Sequence, residues 1–163
     1  MRGVSLVAMA AAVTLGASGA GAQTPPAPAP GYGPPVTLEE AKRIVAAAEA
    51  EARRQGFTMA FAVVEPSGAL VAFEKMDGTQ YGSIEIAQGK ARTAALFRRP
   101  SKAFGDSIAQ GRVAVLSFPG VVAVEGGVPI LRDGHIVGAI GASGGSSEQD
   151  GQVAGVGAAA VRP

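Results

Sequence analysis

Two apolar runs, Val128–Arg132 and His135–Ser143, stand on either side of the dipeptide Asp133-Gly134, and this arrangement constrains the fold more than any other feature of the chain. Asp-Gly accepts the positive φ angles of a tight two-residue hairpin, whereas parallel strands need a long crossover. The two runs therefore read as antiparallel neighbours. A second pair lies upstream. Phe57 to Glu65 is apolar on both alternating faces, Pro66-Ser67-Gly68 makes a turn, and Ala69 to Glu74 returns. Val121 to Val124 reads as one more short strand, which makes five.

Helical signals fill the intervals. Thr37-Leu38-Glu39-Glu40 is a capping box, and Leu38, Ala41, Ile44, Val45, Ala48 and Ala52 follow at helical spacing until Gly56 ends the run. Ser83 through Phe97 puts Ile84, Ala87, Ala91, Ala94 and Ala95 on one face, and side chains so small let a helix lie close against a sheet. Pro100-Ser101 breaks that helix, and Ser101 is placed to cap a shorter one from Lys102 to about Gln110. Ser146 with Gln149 forms a second capping box for a final Ala-rich helix. The predicted order is α-β-β-α-α-β-β-β-α, an α+β domain with a largely antiparallel five-stranded sheet flanked by helices.

The domain is expected to occupy residues 37–163, because what precedes it has another character. Residues 1–22 carry a basic Arg2, an apolar stretch from Val4 to Leu15 and the small-x-small site Ala20-Gly21-Ala22, the pattern of a secretory leader. The apolar stretch is shorter than a membrane span requires. The expectation is a periplasmic or secreted protein with no membrane anchor after cleavage. Residues 23–36 begin QTPPAPAPGYGPP, a proline-dense stretch that favours extended backbone and reads as a linker.

Composition narrows the function classes. The chain has no cysteine, which excludes disulfides, thiolate catalysis, Cys-ligated zinc and covalently attached haem. Once Arg2 leaves with the leader, 13 basic residues face 13 acidic ones. A balance so close to neutral is poor material for gripping phosphates, and no nucleic-acid partner is expected. The single histidine, His135, has no second His or carboxylate cluster to complete a metal set.

Gly141-Ala142-Ser143-Gly144-Gly145 matches the G-x-S-x-G nucleophile elbow. A serine nucleophile needs a base within hydrogen-bond reach, and His135 lies roughly 26 Å away along the same strand at about 3.3 Å per residue. Hence no catalytic residue is assigned. The same glycines could instead present backbone amides to an anion, or form a plain tight turn whose helix dipole is already met by Glu148 and Asp150. Lys90, Arg92, Arg98, Arg99, Lys102 and Arg112 cluster with only Asp106 among them. They could hold ligand carboxylates, or simply make a solvated helix face.

Several segments together resemble the GlcG/HbpS family of haem-binding-type domains. They are Ala62 to Gly68, Met76-Asp77-Gly78, Ser83 to Ala91, Gly126 to Ile130, Asp133-Gly134, Gly138 to Gly145, and Gln149-Asp150. The resemblance covers about residues 37–161. It implies a profilin-like fold, symmetric homo-oligomers and non-covalent binding of haem or a related small molecule. Family position points to Lys90 and to the turn Ser143, Gly144, Gly145 as ligand-binding candidates. The function expected on this basis is exported, non-catalytic binding of haem or a related tetrapyrrole. The alternatives are an enzyme acting on a small organic-acid metabolite through Lys90, and a structural oligomer without a tight ligand. On the binding reading the Lys90 ammonium emerges at the edge of the helix–sheet interface, so Lys90→Ala weakens binding and leaves thermal stability nearly unchanged.

Overall fold

The computed structural model describes residues 28–161; the leader expected at residues 1–22 and its cleavage site lie outside them. The elements are α1 (Leu38–Gln55), β1 (Ala60–Val64), β2 (Leu70–Lys75), α2 (Ser83–Phe97), α3 (Lys102–Ala109), a 3-10 turn (Val113–Ser117), β3 (Gly127–Arg132), β4 (His135–Ser143) and α4 (Ser147–Ala159). Four strands form one antiparallel sheet in the order β2-β1-β4-β3. Asp133 and Gly134 carry φ of 50° and 75°, as a two-residue hairpin between β3 and β4 demands.

Strand alternation sorts large side chains from small. Along β1, Phe61 and Val63 enter a core built with Ile44, Val45 and Ala48 of α1 and Val153 and Ala154 of α4. Ala60, Ala62 and Val64 face the other way, against Ala87, Ala91, Ala94 and Ala95 of α2. The sheet is therefore covered on both faces, with the bulk on the α1–α4 side. Each fully buried side chain of the Phe61 or Ile140 kind stabilises by about 1.5–3 kcal/mol relative to exposure. On the alanine side the gain comes from proximity. A Cβ at Gly141 would run into the carbonyl of Ala87 and the amide of Ala91, so the strand accepts α2 only because Gly141 has none.

The four strands correct the expectation of five. Val121–Val124 is not a strand, because hydroxyls of the neighbouring helical segments take its backbone groups. The Val122 amide donates to Thr93 Oγ1 at 2.9 Å, and Ser101 Oγ donates to the Val124 carbonyl at 2.6 Å. Ser101 consequently does not cap α3; it also accepts from the Gly127 amide at 2.8 Å and ties that segment to the start of β3. Both capping boxes form as expected, Thr37 with Glu40 and Ser146 with Gln149.

The second half of the proline-rich segment belongs to the fold. β1 ends at Val64 opposite Ala139, which leaves the first residues of β4 without a partner on that side. Residues 31–36 take the place. The Ile136 amide donates to the Gly31 carbonyl at 2.8 Å, and the amides of Gly33 and Val36 donate to the carbonyls of Ile136 and Val137 at 2.9 and 2.7 Å. Tyr32 reaches over to α2, where its hydroxyl lies 3.1 and 3.0 Å from the carbonyls of Ala95 and Leu96. Among the described residues, no helix is long and apolar enough to cross a membrane.

Candidate functional site

The residues singled out from the sequence come together at the C-terminal end of β4, through an intermediary. Lys90 projects from the middle of α2 towards the end of the sheet and is 1% exposed. Its ammonium donates to Asp150 Oδ2 at 2.7 Å and to the Ala142 carbonyl at 3.2 Å. Asp150, in the first turn of α4, accepts the Gly145 amide on its other oxygen at 2.9 Å. The carboxylate held by this glycine turn is thus the chain's own.

The rest of the turn is also satisfied internally. Ser143 Oγ donates to Ser83 Oγ at 3.2 Å, Gly144 packs on the Thr58–Met59 backbone, and the Ser146 amide donates to Gln149 Oε1. Gly126 closes the top: a Cβ there would stand 2.8 Å from Lys90 Nζ and 2.9 Å from Asp150 Cβ. The expectation of an ammonium emerging at an interface edge is corrected by this geometry. Carrying Lys90 inside with α2 requires a buried counter-charge, and Asp150 supplies it.

The basic cluster separates in three dimensions. Lys102 pairs with Asp106 at 2.9 Å and with Glu125 at 3.7 Å, and Arg112 donates to Ser107 Oγ. Arg92 stands apart on the flank of α2 beside Ser67 and Leu70. Arg98 and Arg99 remain together at the C-terminal end of α2. There they border an open groove of about 300 Å3 whose other walls are Pro30, Pro100, Val128, Pro129, Leu131 and Ile136. Arg98 lies over the Tyr32 ring at 5.6 Å, and Arg99 over the Phe104 ring at 5.3 Å. His135 is exposed in the hairpin, its Nδ1 2.9 Å from the Asp133 carbonyl oxygen. No group of three metal-ligating side chains occurs among the described residues.

A family model for HbpS-like proteins, described as haem-degrading, matches residues 36–159. The chain belongs to the HbpS-like family. It is 40% identical over 108 residues to the protein GlcG of Escherichia coli, a match covering 66% of this chain and 81% of the relative. A crystal structure of a double mutant of HbpS from Streptomyces reticuli superposes with a TM-score of 0.72 at 29% identity, over 91% of this chain and 97% of that one. The crystal structure of a PduOC–haem complex has a TM-score of 0.70 at 27% identity, covering 77% of this chain and 94% of that one.

The HbpS-like match includes Lys90, Asp150 and the Ser143–Gly145 turn. Sequence reasoning missed the part played by Asp150, taking it only as a charge at a helix start. The signal was its place beside Gln149 at the end of the matching segments, though nothing local says that its partner stands sixty residues away. It also missed that Tyr32, in an apparent linker, lies beneath Arg98.

Proposed function

We propose that the mature chain is an exported, non-catalytic binding protein for haem or a closely related tetrapyrrole, working as a homo-oligomer. One observation carries this reading: over 77% of its length the chain has the fold of the PduOC–haem complex, at 27% identity. The groups on which an enzymatic reading would rest are already engaged. Lys90 is sealed against Asp150, and Ser143 meets a second hydroxyl instead of a base. Neither arrangement favours turnover of a small organic acid.

Absorption spectroscopy of purified mature protein titrated with haem tests the reading. Saturable binding with a shifted Soret band is expected, and a spectrum equal to the sum of free haem and protein refutes it. Export is tested separately: N-terminal sequencing should find Gln23 first, and an intact Met1 on soluble exported protein would contradict the leader assignment.

A further inference from the structure

We propose that the groove at the C-terminal end of α2 is the seat of a flat apolar ligand bearing carboxylates, with Arg98 and Arg99 as its anchors. This rests on the tetrapyrrole-binding reading above and gives it a location. Three observations converge on the groove. The first is its chemistry: proline, valine, leucine and isoleucine form the walls, and the charged groups are the two arginines. A macrocycle edge with acidic arms has the matching distribution, apolar in the body and anionic at one side.

The second is the state of the guanidiniums. Arg43, Arg53, Arg54, Lys90, Lys102 and Arg132 form ion pairs with carboxylates; Lys42, Lys75, Arg92, Arg98, Arg99 and Arg112 form none with the described residues, and of these six Arg98 and Arg99 border the groove. Each has one hydrogen bond to a backbone carbonyl, Arg98 to Pro30 and Arg99 to Phe97, and each lies over an aromatic ring. A guanidinium carries five N–H donors, so both retain several for an incoming carboxylate. Ring platforms limit the side-chain freedom that binding would otherwise have to remove.

The third is backbone conformation. Arg98 ends α2 in the left-handed region at φ 53°, a position where glycine is the unstrained choice. Non-glycine residues held in this region cluster at functional sites, and while Asp133 at φ 50° is explained by its hairpin turn, the Arg98 side chain borders the groove. At about 300 Å3 the groove is at the small end of ligand sites, so it would grip one edge of a macrocycle and leave the remainder outside.

Titrations of wild type, Arg98→Gly, Arg99→Gln and the double variant with haem, with metal-free protoporphyrin IX and with its dimethyl ester test the proposal. Both guanidiniums are exposed, so each single loss should raise the dissociation constant about three- to tenfold, and the pair about ten- to a hundredfold. The effect should be the same with and without iron. The ester, which lacks free carboxylates, should shift by less than about twofold. Arg98→Gly should unfold at the wild-type temperature or above it, because glycine accepts that φ; if it does not fold, Arg99→Gln alone decides. Overlapping curves for wild type and double variant overturn the site and leave the binding reading standing. Absence of saturable binding by the wild type overturns both. Unchanged curves with an altered particle mass would assign the groove to contact between copies, and that too overturns the proposal.

Discussion

Lys90→Ala gives the sharpest test of the packing described at the end of β4. The substitution removes an ammonium that is 1% exposed and leaves Asp150, itself 3% exposed, with a full charge and only the Gly145 amide to solvate it. Breaking a buried pair from one side destabilises by about 3–5 kcal/mol, because the stranded charge has lost both water and partner. In a domain of this size a loss of that order lowers the unfolding midpoint by roughly 10–20 °C. Removing both charges is a different perturbation. In Lys90→Met with Asp150→Asn, the amide oxygen still accepts from Gly145 and no charge is left inside, so at least half of the loss should return. Thermal and urea unfolding of Lys90→Met, Asp150→Asn and the double variant complete the cycle, with Lys90→Ala measured beside them. A Lys90→Ala midpoint within about 2 °C of wild type, or a coupling energy under about 0.5 kcal/mol, would refute the buried-pair argument.

Gly141→Ala places a methyl group against the backbone of α2 at Ala87 and Ala91, and should destabilise by about 1–3 kcal/mol or more in urea unfolding, with the far-ultraviolet spectrum retained. Glu40 is held below its ordinary pKa of 4.5, chiefly by the Thr37 amide, with the Thr37 hydroxyl and Arg132 assisting against burial. A depressed carboxylate contributes stability above its unfolded pKa and loses it as pH falls through the folded value. The midpoint should therefore decline below about pH 4.5 in wild type, and less steeply in Glu40→Gln. Light scattering at micromolar concentration should report more than one chain per particle; a monomer mass would remove the oligomer from the functional reading.

The parts of this fold that were legible in the sequence are those whose cause is local. Asp133-Gly134, the two capping boxes and the alanine face of α2 each act within a few residues, and the structure has them where the spacing puts them. Val121–Val124 misled because strand propensity describes side chains, whereas its backbone partners are Thr93 and Ser101, more than twenty residues away in sequence. Lys90 misled for a related reason. Its position on α2 was readable, but whether a lysine at the border of a packing stripe points inward depends on a carboxylate arriving from α4. The groove was half legible. Arg98 and Arg99 stood out as cations, while Tyr32 and Pro30 were hidden in a segment that looks like a spacer.

The strap at residues 31–36 also bears on how the chain avoids its own kind. A strand with free N–H and C=O groups along one side is a template on which another chain can extend the sheet. The start of β4 would be such a template, and the strap fills it in parallel through Tyr32 and Ile136. What the strap then turns outward is poor material for further growth, since Pro34 and Pro35 have no N–H to offer. A segment that reads as mere spacing in the sequence thus covers the part of β4 that β1 does not reach, and is made from residues that pass little of the pairing on.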